Sequence, residues 1–258
     1  SEESIDVYVV DDSISKKYKK RISDSILNHK IRVIWINIKD AIPKGMHIPL
    51  VNNTYPINIF IRLFIPHFLP DGVKKAIYLD VDMIVLEDIS KLWNIDLEGN
   101  IIAAVQDPLT SSIKDNVINY KELMLDPNEK YLNSGLVVFD VIEWKKNEIS
   151  KKIVSKVEDN KKFARLIDQY ALNTVLYKNW YALDSRWNHF SDTPHDSPYI
   201  IHYAQRKPFY STYNNLYQDI FFNYLSLTEW KKFKKVSEFS RYSKKIGNII
   251  QKLKLISV

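Results

Sequence analysis

The stretch that most constrains the fold is Ala76–Glu87, which has the sequence AIYLDVDMIVLE. Its first four residues are apolar, and Asp80, Val81 and Asp82 follow them directly. An apolar run without a polar break, rich in β-branched and aromatic residues, is typical of a strand that is covered on both faces. In open α/β sheets, ligands bind beyond the carboxyl ends of such strands. The sequence therefore places two carboxylates where an α/β protein would bind a ligand.

The two aspartates predict a cation site. Residues i and i+2 of an extended chain point to the same side, so Asp80 and Asp82 can face one ion together. Hard oxygen ligands select Mg²⁺ or Mn²⁺, and such ions usually also hold substrate phosphates. The alternative is a strand end with two solvated aspartates in a turn, and the spacing alone does not decide between the two.

Composition limits the class of protein. The chain has 258 residues, of which 45% are hydrophobic and 26% charged, enough for one large domain or two small ones. Cysteine is absent, which excludes a disulfide scaffold, a thiolate metal site and a cysteine nucleophile. The sequence has no apolar run of about 18 residues and no visible signal peptide. We therefore expect a cytoplasmic protein.

The net charge of +6 is concentrated at the C-terminus. From Lys231 onward there are nine Lys and Arg residues and one acid, which gives +8 there and −2 in the rest. Apolar residues recur between these lysines every three or four positions, which predicts a basic amphipathic helical tail at 229–258 behind a main domain at 1–228. The mixture of aromatic residues and lysines favours docking on an anionic membrane surface, at about 1 kcal/mol per basic residue. The alternative is a helix packed on the body. Nucleic acid is not an expected partner, because no base-reading element accompanies the lysines.

The N-terminal part of the chain predicts an α/β topology. Ile5–Val10 and Ile31–Ile38 have the composition of strands, and Ser15–His29 between them has the spacing of an amphipathic helix. A strand, helix and strand in this order predict a parallel pair of strands. Two further helices are predicted, at Ile57–Phe68 and at Ile142–Asp159.

Three polar residues interrupt apolar segments and are candidates for a site. Arg62 is the one charge in its helix, and it either snorkels at the helix edge or binds an anion in the cleft. Asp168 lies at the start of a helix, where an acid also caps the helix or favours its dipole. His202 lies within a short strand, where a hydrogen-bonded core histidine is the commoner outcome.

A small turn is predicted before another apolar strand. Asn133, Ser134 and Gly135 precede a strongly apolar segment that ends at Asp140. A glycine at the start of a strand allows a ligand to approach the backbone closely. The alternative is a tight turn without a ligand.

Taken in order, four stretches resemble glycosyltransferase family 8, the retaining sugar-nucleotide enzymes that include bacterial lipopolysaccharide galactosyl- and glucosyltransferases and glycogenin. The most specific is YLDVDMIVLEDISKLW at 78–93, because its D-x-D, aliphatic run and tryptophan recur together in that family. The other three are YLNSGLVVFDVIEW at 131–144, IDQYALNTVL at 167–176 and IIHYAQRKPF at 200–209. The resemblance covers about four-fifths of the chain, from Ile5 to Phe209.

This resemblance implies a GT-A fold, a Rossmann-like sandwich with a central mixed β-sheet flanked by helices. It also implies Mn²⁺ or Mg²⁺ bound by Asp80, Asp82 and His202, bridging the diphosphate of a UDP-sugar. Such an ion neutralises the charge that develops on the departing diphosphate. The implied reaction is the retaining transfer of glucose or galactose to a cell-surface glycan or a lipid-linked acceptor, at the inner face of the bacterial membrane.

The resemblance further implies roles for individual residues. Gln169 would lie beside the anomeric carbon, and because an amide is a poor nucleophile, front-face attack within an ion pair and a covalent route both stay open. Asp168 is the second candidate catalytic residue, and with Asp107 it would hold sugar hydroxyls. The remaining donor-binding positions are Arg62 over the donor, Val81 between the two aspartates, Asn133, Ser134 and Gly135 at the donor sugar, and Lys207 at the diphosphate.

Several positions depart from the family pattern. The spacing to Arg62 suggests that Ile5–Ile38 matches the family's second strand, helix and third strand, so that roughly 30 residues with a first, base-binding strand are absent here. Tyr170 stands at the third position of the family's Asp-Gln-Asp, and the segment from His202 to Lys207 lacks a glycine and is one residue short. These departures keep open a degenerate domain that binds sugar nucleotides or carbohydrate without catalysis. A haloacid-dehalogenase-type phosphatase also has a strand followed by Asp-x-Asp, but it needs Thr or Val where this chain has Ile84.

Overall fold

The computed structural model describes residues 4–46, 48, 58–164 and 166–240. It begins with strand β1 (Ile5–Asp11), helix α1 (Lys16–Asp24) and strand β2 (Ile31–Asn37), and β1 and β2 pair in parallel. This confirms the predicted strand, helix and strand. The helix ends five residues earlier than predicted, because the Ser25 backbone N–H and hydroxyl bond back to carbonyls of the last turn.

Seven further strands and nine further helices are described in the rest of the chain. The strands are β3 (Lys75–Leu79), β4 (Met83–Val85), β5 (Ile102–Gln106), β6 (Leu132–Asp140), β7 (Trp180–Ala182), β8 (His189–Phe190) and β9 (Ile200–His202). The helices are α2 (Ile38–Ala41), α3 (Asn58–Ile61), α4 (Ile65–Phe68), α5 (Ile89–Trp93), α6 (Ile113–Asn116), α7 (Val141–Lys146), α8 (Ile149–Asp159), α9 (Ile167–Val175) and α10 (Gln218–Ser226), and short 3₁₀ helices span Arg62–Phe64 and Ser185–Asn188.

Two further sheets follow the β1–β2 pair. The larger has the order β3-β6-β5-β7, in which β3 and β5 run antiparallel to β6 and β7 runs parallel to β5. The smaller has the order β4-β9-β8, with β4 antiparallel and β8 parallel to β9. Mixed sheets flanked by helices confirm the predicted α/β class.

Strand β6 is the buried centre of the molecule, because alternate side chains of a strand point to opposite faces. Val137 and Phe139 pack into the larger apolar cluster with helices α4 and α7–α9, and Leu136 and Val138 pack into a second cluster on the other face. Phe139 meets the ring of Trp144 edge to face, with 5.1 Å between the ring centroids. The C-terminal half of β6 therefore lies between the two apolar clusters.

Three predictions about individual elements are wrong in detail. Strand β3 has apolar cover on both faces as predicted, with Ala76 and Tyr78 against the larger cluster and Ile77 and Leu79 against the second, but it is half-buried instead of buried, since among the described residues it pairs with β6 alone. The helix predicted at Ile57–Phe68 is broken into α3, a 3₁₀ turn and α4, and Pro66, which has no backbone N–H to donate, lies in the first turn of α4. The helix predicted at Ile142–Asp159 is divided into α7 and α8 at Glu148, whose φ is +51°.

The described part of the C-terminal tail packs on the body. Residues 229–237 form turns and a β-bridge between Val236 and Tyr210 instead of the predicted helix, and only residues 238–240 are helical. The Arg21 guanidinium lies 4.3 Å from the ring centroid of Trp230, which attaches the start of the tail to α1. Residues 241–258, with the rest of the predicted helix, lie outside the described residues. Among the helices that the structure describes, none has the length and apolarity needed to cross a bilayer.

Candidate active site

The two aspartates of the D-x-D stretch lie in the short connection between β3 and β4. Strand β4 pairs with β9 so that Met83 lies opposite His202, and the Tyr203 backbone N–H donates to the Asp82 carbonyl at 2.9 Å. This pairing brings His202, far away in sequence, beside Asp82. The side chain of Val81 points away from the cluster and is fully exposed to solvent.

Asp80, Asp82 and His202 form a three-residue donor set. One ligand atom from each lies within 4.8 Å of the others, and this is the group of residues that the family resemblance assigned to a metal. His202 Nε2 lies 3.3 Å from Asp82 Oδ1 and 3.9 Å from Asp80 Oδ2. Two carboxylates with one imidazole suit a divalent cation of the Mn²⁺ or Mg²⁺ type.

Gly135 leaves the space that this donor set requires. A Cβ at this position would lie 2.7 Å from His202 Cε1, 3.0 Å from Asn133 Oδ1 and 3.1 Å from Asp80 Oδ2. Real Cβ atoms are essentially never found at the shortest of these distances. The residue lies inside β6 together with Asn133 and Ser134, so the turn predicted for these three residues is wrong. The glycine is needed here for close approach rather than for chain reversal.

Arg62 joins the cation site to a second group of polar residues. Its Nη2 lies 3.0 Å from Asp80 Oδ1, and its Nη1 lies 3.1 Å from Asp168 Oδ2. The guanidinium also lies over the ring of Tyr78, 4.7 Å from its centroid, and the side chain is only 12% exposed. Arg62 therefore does not snorkel at a helix edge, and its charge is compensated by two carboxylates.

Lys207 supplies a second positive charge. Its Nζ lies 2.5 Å from Asp82 Oδ2 and also donates to the Tyr203 carbonyl at 2.6 Å. The two aspartates are thus each paired with a different cationic side chain, Asp80 with Arg62 and Asp82 with Lys207. A lysine is a compact charge on a flexible stem, which allows its ammonium to move to another anion.

These surroundings shift the pKa values of the two aspartates in opposite directions. Burial raises the pKa of Asp80, and the attraction of Arg62 and the hydrogen bond from Tyr78 offset this only in part. Burial also opposes the ionised form of Asp82, but the neighbouring His202 and the hydrogen bond from Lys207 outweigh it and hold the pKa of Asp82 well below its usual range. Burial raises the pKa of the Tyr78 hydroxyl, so this group stays protonated and donates to Asp80.

A second cluster of polar side chains lies beside the cation site. Asp107 Oδ2 accepts from Asn133 Nδ2 at 2.8 Å and from Gln169 Nε2 at 3.0 Å, and all three side chains are buried. The other oxygen of Asp107 accepts from the backbone N–H groups of Leu109 and Thr110 at 2.9 and 2.8 Å. Asp107 is thus held rigidly with Asn133 and Gln169 in one hydrogen-bonded group.

Asp168 and Ser134 complete this cluster. The Ser134 hydroxyl donates to Asp168 Oδ2 at 2.8 Å, and the Ser134 backbone N–H donates to Gln169 Oε1 at 3.2 Å. Asp168 lies in the first turn of α9, but its carboxylate accepts from Arg62 and Ser134, and the cap position is Leu166 without a side-chain cap. Asp168 is therefore not the helix cap, but it does lie in the first turn, where an acid favours the helix dipole.

Two residues of the site were missed by sequence reasoning. Tyr78 lies two residues before Asp80, and that i, i+2 spacing was a usable signal, but the tyrosine was assigned only to the strand. Asn188 is 2% exposed and bonds to both His202 and Asn133, and its position before a short strand carried no signal. Tyr170, which stands at a departure from the family pattern, packs in the core and donates to Asn119 Oδ1 at 3.1 Å.

Comparison with known protein families and structures gives a consistent result. The family described as glycosyl transferase family 8 matches residues 1–212. General stress protein A of Bacillus subtilis (strain 168) is 30% identical over 253 residues, covering 89% of this chain and 85% of that protein. Glycosyltransferase GlyB of Streptococcus pneumoniae is 26% identical and covers 86% of this chain, which spans 55% of GlyB.

The fold is also found among solved structures. The galactosyltransferase LgtC, solved in complex with donor and acceptor sugar analogues, superposes with a TM-score of 0.70 at 21% identity. The similarity covers 88% of this chain and 87% of LgtC. A similarity at this level of identity shows a shared fold, the GT-A fold.

Proposed function

Because the chain belongs to glycosyl transferase family 8, we propose that it is a retaining glycosyltransferase that moves glucose or galactose from a UDP-sugar in a reaction that depends on Mn²⁺ or Mg²⁺. The observation that carries the proposal is the donor set of Asp80, Asp82 and His202 beside a buried polar cluster. Membership of this family also removes the phosphatase alternative.

The cation site fits a nucleotide diphosphate. Asp80, Asp82 and His202 would hold Mn²⁺ or Mg²⁺, and the ion would neutralise charge on the departing diphosphate. Lys207 adjoins the site with its ammonium on Asp82, so a diphosphate bound there would offer it a competing anion. The divalent cation and the Lys207 ammonium would together stabilise the negative charge that develops on the leaving diphosphate in the transition state. The Val81 side chain is fully exposed between the two aspartates, so it would contact the solvent-facing side of the bound donor.

The second cluster fits a sugar. Asp107, Asn133 and Gln169 present carboxylate and amide groups in fixed positions, and such groups pair with the hydroxyls of a hexose. Ser134 and the Gly135 backbone lie along the same strand, and Arg62 lies between the cluster and the cation site. The sugar of the donor would therefore lie against β6 with its diphosphate toward Asp80.

The side chains favour attack on the face from which the diphosphate departs. Gln169 has no charge, and Asp168 already accepts from Arg62 and Ser134, so neither is an activated nucleophile. In the proposed reaction the bond from the anomeric carbon to the phosphate oxygen breaks, and a bond to the acceptor hydroxyl oxygen forms. The proton of that hydroxyl passes to an oxygen of the departing diphosphate, and configuration is retained.

The acceptor in this proposal is a cell-surface glycan or a lipid-linked sugar. The basic residues beyond Lys231 support an anionic membrane as a partner, because such residues attract acidic lipid surfaces. Binding of the full chain to vesicles with and without phosphatidylglycerol tests this part. Vesicle binding that needs the anionic lipid and weakens when Lys244, Lys245, Lys252 and Lys254 are replaced by glutamine would support it. Vesicle binding that is unaffected by removal of the anionic lipid, or by replacement of the four lysines, would refute it.

Calorimetric titration of UDP into the chain, with Mn²⁺ and with EDTA, tests the donor site. We expect binding with Mn²⁺ and its loss in EDTA, followed by release of UDP from UDP-glucose or UDP-galactose when an acceptor is added. Equal UDP binding in EDTA would refute metal dependence. Metal-dependent binding without any release of UDP from either donor would instead identify a binding domain without catalysis.

A further inference from the structure

Asn188 connects the cation site to the sugar cluster, and nothing in the proposed reaction yet uses it. It is the last residue of the 3₁₀ helix Ser185–Asn188, and its amide lies between His202 and Asn133. We propose that Asn188 is a positioning residue that fixes the proton of the His202 imidazole on Nδ1, and so leaves Nε2 as the nitrogen for the cation. The inference rests on the proposed function, because it concerns the cation site of that reaction.

One backbone group in this hydrogen-bonded network has a fixed role. The Gly135 N–H can only donate, and it donates to Asn133 Oδ1 at 2.9 Å. This bond determines which end of the Asn133 amide is oxygen. The nitrogen end then donates to Asp107 Oδ2 at 2.8 Å, which agrees with that assignment.

The same oxygen determines the orientation of the next amide. Asn133 Oδ1 also lies 2.8 Å from the Asn188 amide, so the Asn188 atom facing it must be the nitrogen. The reverse orientation would place two oxygens, both acceptors, at hydrogen-bond distance in a buried site, which is costly. The oxygen of Asn188 must therefore face the other way, toward the imidazole of His202.

That oxygen determines the tautomer of the histidine. Asn188 Oδ1 lies 2.8 Å from His202 Nδ1, and an amide oxygen only accepts, so Nδ1 must carry a proton. Asn188 and His202 are 2% and 4% exposed. The rings of Phe190 and His202 meet edge to face, with 5.2 Å between their centroids. The ring is therefore held in one orientation by groups that have no second arrangement.

The consequence is chemical. Nε2 points at Asp80 and Asp82, and it is the nitrogen that can exchange a proton for a cation. The nitrogen that a metal takes is in general set by the hydrogen bond of the other one. In this chain that hydrogen bond leads through Asn188 and Asn133 back to the Gly135 backbone, so the sugar cluster and the cation site share one chain of donors and acceptors.

Nuclear magnetic resonance of the full chain labelled with ¹⁵N-histidine tests the inference directly. The chain has six histidines, and the signals of His202 are identified by their loss in His202→Gln. Long-range ¹H–¹⁵N spectra recorded over a range of pH should show that, whenever the ring carries a single proton, this proton is on Nδ1. A wild-type spectrum in which the singly protonated ring carries its proton on Nε2, or is a mixture of tautomers, would overturn the proposal without any need for a variant.

Two substitutions separate positioning from folding. Asn188→Ala removes the acceptor, so we expect a mixture of tautomers and an affinity for Mn²⁺, measured by electron paramagnetic resonance without nucleotide, about 10- to 100-fold lower. Asn188→Asp keeps an acceptor for the Nδ1 proton and loses the donor to Asn133. We therefore expect Asn188→Asp to keep the Nδ1-protonated tautomer and an affinity for Mn²⁺ no lower than that of the wild type, with a loss of thermal stability because two acceptor oxygens then face each other at Asn133.

Asn119→Ala is the matched control. Asn119 is also buried and hydrogen-bonded, but its partners are Asn160 and Tyr170, away from the cation site. It should lose thermal stability while the His202 tautomer and the Mn²⁺ affinity stay unchanged. Wild-type tautomer and affinity in Asn188→Ala would overturn the proposal. None of these measurements uses a sugar donor, so failure to transfer a hexose would count against the proposed function alone.

Discussion

Lys207 and Asp82 form an ion pair inside the candidate cation site, with Nζ 2.5 Å from Oδ2. The lysine therefore occupies an oxygen of a carboxylate that a divalent cation would also use. Asp82 and Lys207 are only partly buried, so removal of the competing charge should be worth about 1 kcal/mol.

We therefore expect Lys207→Met to bind Mn²⁺ roughly fivefold more tightly than the wild type when no nucleotide is present. The same variant should bind UDP more weakly, because the diphosphate loses one positive charge. Electron paramagnetic resonance gives the first quantity, and calorimetry with saturating Mn²⁺ gives the second. Lys17→Met removes an equal charge from the exposed face of α1 and should change neither. A weaker affinity for Mn²⁺ in Lys207→Met would show that the lysine supports the site instead of competing for it.

Gly135→Ala should disable the cation site while the fold is kept. The new Cβ would lie 2.7 Å from His202 Cε1, so the imidazole must move away from Asp80 and Asp82. We expect the affinity for Mn²⁺ to fall at least tenfold, with a loss of about 1–3 kcal/mol in the free energy of unfolding from overpacking. Ala103→Val overpacks the second apolar cluster and should lose comparable stability with normal affinity for Mn²⁺. Equal affinities in Gly135→Ala and the wild type would contradict the close approach seen here.

Asp80→Asn and Asp82→Asn should differ in stability although both lose the cation. The pKa of Asp82 is lowered, so its ionised form stabilises the fold above pH about 4, and this contribution is lost as the pH falls further. The pKa of Asp80 is raised, so its ionised form opposes folding at neutral pH. In EDTA at pH 7 we expect the Tm of Asp82→Asn to fall by a few degrees and that of Asp80→Asn to equal or exceed the wild-type value.

The measurements for this pair are thermal unfolding with EDTA and with Mn²⁺ at pH 7, and with EDTA at pH 4 and pH 2.5. The difference between Asp82→Asn and the wild type should be nearly unchanged at pH 4 and should shrink at pH 2.5, because the carboxyl group of the unfolded chain is then protonated while that of the folded chain stays largely ionised. Mn²⁺ should raise the Tm of the wild type and of neither variant. A lower Tm for Asp80→Asn than for Asp82→Asn in EDTA would contradict the opposite shifts described above.

The sequence predicted those parts of the site that depend on local geometry. The pairing of Asp80 with Asp82 was predicted from their spacing after a strand, although they lie in the connection between β3 and β4 and not in an extended strand. The parallel pair of β1 and β2 follows from the order of patterns. His202 was predicted as a metal ligand only through the family resemblance, because its position beside the aspartates depends on the pairing of β9 with β4. Asn188 could not be predicted at all, since its role arises from two partners that are distant in sequence.

The errors have physical causes as well. The glycine of Asn133–Gly135 was assigned to a turn, but it is required by a neighbouring side chain, and close approach leaves no mark in a single sequence. The helix predicted over Ile57–Phe68 is apolar enough to be one element, and Pro66, one position into α4, interrupts its backbone bonding. Strand β3 is covered by apolar clusters on both faces, as its composition predicts, yet it is only half-buried because among the described residues it pairs with β6 alone. Composition therefore predicted which residues form strands better than how deeply they are buried.

Ser150 should be the most sensitive polar residue of the core. Its hydroxyl donates to the Leu63 carbonyl at 2.7 Å, so it can only accept from Trp144 Nε1 and His67 Nε2, both at 2.9 Å. Leu63 and Trp144 are fully buried, and Ser150→Ala leaves each with an unpaired group that costs about 1–3 kcal/mol. We therefore expect urea denaturation to show a loss of at least about 2 kcal/mol in the free energy of unfolding. Ser155→Ala, exposed on the same helix, should stay within about 0.5 kcal/mol of the wild type, and equal losses in the two variants would show that the buried hydroxyl contributes nothing.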